Sequence, residues 1–238
     1  MIGRVGTSGY SYKPWKGPFY PEGLPDSQML PFYAGRFSTV ELNNTFYRMP
    51  SRDVVQRWAE ETPPDFVFVL KASRRITHVK RLKDVGDALE YFLETTALLD
   101  AKRGPVLYQL PPFLKQDLER LGRFLDRLPA GHRAAFEFRH PSWFEEPVYE
   151  LLRARGAALC VSDMEGEDGE PAPPAPLVPT AGWGYLRLRR CDYRDDDLRG
   201  WADRIRAQPW EEAFVFLKHE DEGQAPLQAA RLQELLGG

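Results

Sequence analysis

The chain has 238 residues, 42% hydrophobic and 28% charged, and its 32 Lys+Arg against 35 Asp+Glu leave a formal charge of −3. That balance excludes a disordered tail protein and a globally basic nucleic-acid coat. The unbroken apolar runs, such as residues 66–70 and 157–161, stop at five, whereas a membrane helix needs roughly 20, so no membrane span is expected.

No extended apolar stretch follows Met1, and Cys160 and Cys191 form neither a disulfide framework nor a CxxC pair. A cytoplasmic, reduced compartment is the expectation.

In chain order, a first strand at 4–8 carries Thr7 and Ser8 and is followed by an aromatic loop with Tyr10, Tyr12, Trp15, Phe19 and Tyr20. A weak helix at 26–37 is interrupted by Pro31. The second strand, 39–43, carries Glu41 and Asn43, and a helix at 51–61 follows on Val54, Val55 and Trp58. The third strand, 66–72, carries Lys71. The loop beyond it holds Arg74, Arg75, His78, Lys80, Arg81 and Lys83 with no acid. A stripe of Val85, Leu89, Phe92, Thr96 and Leu99 predicts the next helix, with Asp84 as its N-cap.

The fourth strand, 105–110, carries Gln109 and precedes a cleaner stripe of Leu118, Leu121, Leu125 and Leu128. The fifth, 133–138, carries Glu137 and leads into Arg139 and His140. A helix on Val148, Leu151 and Leu152 ends near Gly156. After the sixth strand, 157–163, which ends in Asp163, prolines and acids make 164–181 a loop. The seventh strand, 184–189, carries Arg187 and Arg189, and a helix on Leu198, Trp201 and Ile205 follows. The eighth, 213–219, ends in Lys218 and His219, before a last helix at 227–236.

Strands separated by helices imply parallel crossovers with both sheet faces covered. Eight units of about 30 residues approach the ~250 of a closed barrel. The dinucleotide fingerprint GxGxxG is missing after the first strand, so no nucleotide cofactor is expected. The predicted fold is α/β, a single (β/α)8 TIM barrel over 1–238, irregular around the sixth unit.

Such barrels carry their chemistry at the carboxyl ends of the strands. Period-two alternation turns Val40 and Leu42 outward and Glu41 and Asn43 inward; it likewise turns Glu137, Arg139, Arg187 and Arg189 inward. Ionisable groups inside a barrel need pairing or a wet mouth. They are therefore either an ion-pair network holding the upper layer or a functional site. The aromatic loop either stacks on a base or sugar or plugs itself into the core. The cationic third loop and the arginines of strand seven suit an anionic ligand.

Gly6-Thr7-Ser8-Gly9-Tyr10, Trp15–Pro21, Val40–Tyr47, Thr77-His78, Gln109-Leu110-Pro111-Pro112 and Glu137–Trp143 resemble the YecE-like family, domain of unknown function 72. The resemblance runs in order along nearly the whole chain and implies a TIM barrel. That family's fold is similar to the endonuclease IV and xylose isomerase group, which by analogy suggests nucleic-acid or sugar substrates. Three positions depart from the family pattern. Strand seven runs into Arg187-Leu188-Arg189-Arg190 instead of Arg-x-His-Gly, strand eight into Leu217-Lys218-His219-Glu220 instead of Phe-Asn-Asn-Asp, and Tyr10 replaces a commoner Trp.

The expected site follows from both readings. Catalytic candidates are Glu41, Lys71, Glu137, His140 and His219. Substrate-binding candidates are Ser8, Tyr10, Asn43, Tyr47, Gln109, Arg139, Trp143, Arg187, Arg189 and Lys218. In an enzyme for a phosphorylated, nucleic-acid-like or sugar-like anion, Glu41 or Glu137 serves as base and the cations neutralise developing charge. A divalent metal among Glu41, Glu137 and Asp163 is one option for the cofactor. The alternative is a binding module for a nucleic acid or phosphorylated ligand. Schiff-base chemistry at Lys71 or Lys218 is a third reading.

Overall fold

Strands covered by helices on one side and by each other on the other have no wet face, and this sequence resolves the problem by closing the sheet. The structure is a computed structural model that describes residues 1–163, 175–190, 192–218 and 223–237. Its strands are β1 Ile2–Thr7, β2 Thr39–Leu42, β3 Val67–Lys71, β4 Arg103–Gln109, β5 Ala134–Glu137, β6 Ala158–Ser162, β7 Trp183–Leu188 and β8 Glu212–Leu217. All pair in parallel, in the order β1-β8-β7-β6-β5-β4-β3-β2.

The remaining seam, between β1 and β2, is joined by a Ser8–Glu41 bridge and a Gly9 N–H to Glu41 C=O bond of 2.8 Å. Lower down, the Tyr33 hydroxyl accepts from the Thr7 N–H at 2.9 Å and donates to the Thr39 carbonyl at 3.1 Å. A Cβ at Gly6 would lie 2.3 Å from that carbonyl, so only glycine lets the two backbones approach. The expected barrel is therefore present.

Eight α-helices are described: α1 Met29–Ala34, α2 Asn44–Tyr47, α3 Arg52–Glu60, α4 Gly86–Thr96, α5 Leu118–Leu125, α6 Glu146–Ala154, α7 Asp195–Arg206 and α8 Gln224–Leu236. Pro31 is accommodated in the first turn of α1, where its missing N–H costs nothing. The α5 N-cap is Asp117, whose carboxylate accepts the Arg120 N–H at 2.9 Å.

Two details differ from the sequence-based expectation. Asp84 does not cap α4: it has φ 50° and Val85 is the cap; α4 ends at Thr96, and Leu99 sits in the separate 3-10 segment Ala97–Lys102, which Asp100 kinks at φ 48°. In α5, Leu118 is exposed and Phe124 is buried in its stead. The described part of the β6–β7 connection, 175–182, has no helix; Thr180 fastens it by accepting the Leu159 N–H and donating to the Ala157 carbonyl. The acidic residues 165–170 lie outside the described residues. Among the described residues, no helix is long and apolar enough to cross a membrane.

Alternation divides the buried residues as the strands require. Val40, Leu42, Phe136, Phe138, Leu186 and Leu188 pack outward against the helices, while Val69, Leu107, Ala135, Cys160, Tyr185, Phe214 and Phe216 fill the barrel. Its lower end is sealed by Glu212, paired with Arg4 and Arg133, the latter 4.5 Å from the Trp183 ring. The upper end is polar.

Candidate active site at the barrel mouth

The inward residues nearest the carboxyl ends of β2, β5 and β7 are Glu41, Glu137 and Arg187, and all three are buried. Arg187 is wholly buried and bridges the two carboxylates: Nη2 lies 2.8 Å from Glu41 Oε1 and Nη1 2.5 Å from Glu137 Oε2. Glu41 Oε1 also accepts from Ser8 Oγ at 2.7 Å and Asn43 Nδ2 at 3.0 Å, and its Oε2 accepts the Tyr185 hydroxyl at 2.6 Å. Glu137 Oε1 accepts from Gln109 Nε2 at 2.8 Å and Arg139 Nε at 3.0 Å. Six of the expected residues, Ser8, Glu41, Asn43, Gln109, Glu137 and Arg139, thus meet around a seventh, Arg187.

Burial by itself would raise the Glu137 carboxyl. Arg187, then Arg139 and Lys71, outweigh it and bring the group down to about 2. Arg187 feels the same attraction from the other side: burial opposes its charge, but Glu41 and Glu137 hold its pKa well above the usual value. The guanidinium also occupies the place expected for a metal. Among the described residues no group of three or more His, Cys, Asp or Glu side chains is arranged to hold an ion, so the donor set does not fit one. Asp163 is directed elsewhere, accepting the Arg189 N–H at 2.8 Å and the Tyr193 hydroxyl. Burial raises its carboxyl to about 6.

Lys71 is buried at the end of β3, with Nζ 4.2 Å from the centre of the Phe46 ring. The same ring meets the His78 imidazole edge-on at 4.9 Å. His78 Nδ1 lies 2.9 Å from Thr77 Oγ1. Burial, followed by Lys71, Arg139 and Arg74, depresses His78 to about 4, so its ring is neutral at pH 7. His78 sits in a π-helical turn, Arg75–Val79, and the next residues, Arg81 and Leu82, have φ of 50° and 65°. Such conformations cost about 1–3 kcal/mol each in non-glycine residues and concentrate at functional loops.

Other expected residues take different places. Trp143 is buried, stacked 4.6 Å from Phe138, and its indole N–H donates to the Leu114 carbonyl at 2.7 Å. His140 Nδ1 accepts the Ser142 N–H at 3.2 Å, capping the Pro141–Trp143 turn. Tyr10 lies in a cleft beside Leu30, Val54 and Trp58, in the helical layer. The rest of the aromatic loop plugs the core: Trp15 and Tyr20 are fully buried and Phe19 packs edge-on against Phe32 at 5.7 Å. Of the two readings of that loop, packing is the one observed.

Tyr47, by contrast, is 80% exposed at the end of α2. Arg189 and Lys218 follow the ends of β7 and β8, and the Lys218 N–H donates to the Leu188 carbonyl at 3.1 Å. His219 lies outside the described residues.

Sequence reasoning missed three mouth groups. Tyr185 and Ser162 were within reach of the alternation rule, two residues from Arg187 and Cys160. Ser162 pairs in register with Arg187, and its Oγ is buried without a hydrogen-bond partner among the described residues. His78 was visible as a residue, but nothing in the sequence folds its loop back over the mouth.

The fold has counterparts in known proteins. A structure of a DUF72 family protein from Thermotoga maritima superposes over 100% of both chains with a TM-score of 0.88 and 30% identity. One from Enterococcus faecalis covers 100% of this chain and 96% of its own at a TM-score of 0.80 and 18% identity. UPF0759 protein YecE of Escherichia coli K12 is 37% identical over 125 residues, 52% of this chain and 46% of the relative, so the match spans about half of that protein's length. UPF0759 protein YunF of Bacillus subtilis is 26% identical over 91% of this chain and 89% of its own. The family model described as protein of unknown function DUF72 matches residues 4–238, and the chain belongs to that family.

Proposed function

We propose that the barrel mouth binds a small phosphorylated ligand, sugar-like or nucleotide-like, and acts on it by proton transfer. The observation carrying this reading is the convergence of Lys71, at the end of β3, and Arg139, just beyond β5, above the buried Arg187 of β7 and beside a neutral His78. Guanidinium and ammonium groups held by a rigid strand end are pre-organised donors for a phosphate. Ser162 Oγ adds a hydroxyl at the same level.

In this scheme the two glutamates orient the cations. Glu41 and Glu137 have their lone pairs committed to protein donors, so they fix Arg187 and Arg139 and do not collect a proton from substrate. Proton transfer falls to His78, the mouth imidazole kept unprotonated at pH 7. The commitment of both glutamates also favours a second reading, a binding module without chemistry.

Titration calorimetry with a panel of sugar phosphates and nucleotides tests the first step. Lys71→Met is expected to weaken the binding found with wild type by roughly tenfold to a hundredfold, the loss of one charge-assisted hydrogen bond. Unchanged affinity would remove Lys71 from the site. For the ligand that binds, His78→Gln separates the two readings: turnover lost with binding kept assigns chemistry, and no turnover by wild type leaves the binding module.

A further inference from the structure

The loop after β3 is strongly cationic, and much of that charge is exposed. Arg74, Arg75, Arg81 and Lys83 are exposed. Two exposed aromatic rings flank the same loop. Tyr47, at the end of α2, packs 5.0 Å from Phe46, the ring that His78 of the loop meets edge-on. Phe113, beyond β4, is 65% exposed and lies 5.8 Å from the Arg81 guanidinium.

Among the described residues both rings lie open to solvent. The loop between them is fastened to itself and to the core: the Leu82 N–H donates to the Ile76 carbonyl at 3.0 Å, the Lys83 N–H to the Lys80 carbonyl at 2.9 Å, and Leu82 is buried beneath it. Arg81 is therefore held over Phe113 by a backbone that accepts left-handed conformations at Arg81 and Leu82 to place it.

We infer that this rim, from Tyr47 through the β3 loop to Phe113, is a binding surface for single-stranded nucleic acid. Unpaired bases present flat faces that stack on tyrosine and phenylalanine, and the phosphates between them match the four cations. An acidic peptide would use the cations but leave the rings bare. A duplex hides its base faces. An anionic membrane would demand a broader apolar area than two separate rings and Val79 offer. The surface lies on the rim and not on the mouth floor, so this inference and the mouth reading fail separately.

The test is fluorescence anisotropy of the full chain with a labelled oligodeoxythymidylate, compared with a duplex of equal length, a polyglutamate peptide and phosphatidylserine vesicles. Phe113→Ala and Tyr47→Ala are each expected to weaken oligonucleotide binding by about 5- to 150-fold. Four phosphate contacts predict a log–log salt slope of roughly −3. Replacing Arg74, Arg75 and Arg81 by Gln together should reduce that slope by about 2. The Tyr47, Phe113 and arginine substitutions are at exposed positions, Lys71 is buried, and circular dichroism of every variant checks its folding. Loss of oligonucleotide binding in Phe113→Ala with orthophosphate binding retained supports the rim. Equal affinity for the duplex, the peptide or the vesicles, or an oligonucleotide affinity indifferent to both ring substitutions, overturns it. If Lys71→Met alone abolishes binding, the mouth reading stands and the rim falls.

Discussion

Arg187 decides what happens at the mouth, because two carboxylates 0% and 2% exposed depend on one guanidinium. Removing one member of a buried ion network leaves uncompensated charge and costs about 3–5 kcal/mol. Arg187→Met is therefore expected to lose that much stability in urea denaturation. Arg187→Lys should recover part of it, since an ammonium keeps the charge and cannot bridge both glutamates in the same plane. A stability change below 1 kcal/mol in Arg187→Met would contradict the bridging role. The inward orientation of Glu41, Glu137 and Arg187 was legible in the sequence, since each sits between outward apolar neighbours. Their mutual saturation was not, because alternation fixes a side chain's direction and says nothing about which partner from a distant strand arrives opposite. Trp143 shows what a motif leaves open. Its motif placed it beside Arg139 and His140, yet its indole serves the Leu114 carbonyl.

Among the elements, the β1–β2 seam is the place where the barrel closes with the fewest backbone hydrogen bonds. Tyr33 substitutes for a ladder there, and Gly6 makes room for it. Gly6→Ala would push a methyl group into the Thr39 carbonyl, and overpacking of this kind costs about 1–3 kcal/mol or more. Hydrogen exchange should then accelerate first at the amides of Thr7 and Gly9, while those of β7 keep their protection; uniform acceleration would argue against a local opening. Strand and helix order were readable throughout, because period two and period 3.6 are set by the chain's own geometry. The start of α4 and the shape of the β3 loop were not. Asp84 looks like an N-cap by residue type, but the left-handed turn at Arg81–Leu82 delivers the chain to Val85 from another direction. Nor could composition alone say whether the aromatic loop was exposed; Trp15 and Tyr20 are buried and its other rings partly so, with Phe32 and Tyr33 of α1 and Phe37 just beyond it to pack against.

For the molecule as a whole, the shifted groups set a pH profile. His78 and His132 are lowered from 6.5 to about 4, His78 by burial and nearby cations, His132 by burial and then Arg103. Below pH 6.5 the unfolded chain takes these protons and the folded chain does not, so stability falls as pH drops from 6.5 to 4. Glu137, lowered from 4.5 to about 2, continues the loss from 4.5 down through 2. Asp163, raised by burial from 3.8 to about 6, acts in the opposite sense: its contribution is complete below 3.8 and disappears as pH rises through 6. With two imidazoles against one carboxyl, net stability between pH 6.5 and 4 should decline. His132→Gln, which keeps an acceptor for the Tyr108 hydroxyl, should flatten the slope. A slope unaltered in that variant would contradict the assignment.

The closed barrel brings side chains from six strands, β2 to β7, and from the loops beyond them to one opening, which is proposed to receive phosphate. A crystal structure grown in orthophosphate measures that most directly. An anion is expected within hydrogen-bond reach of Lys71 Nζ and the Arg139 guanidinium, with Ser162 Oγ turned toward it, and no such density in Lys71→Met. Phosphate bound elsewhere on the molecule, with the mouth holding only water, would contradict it.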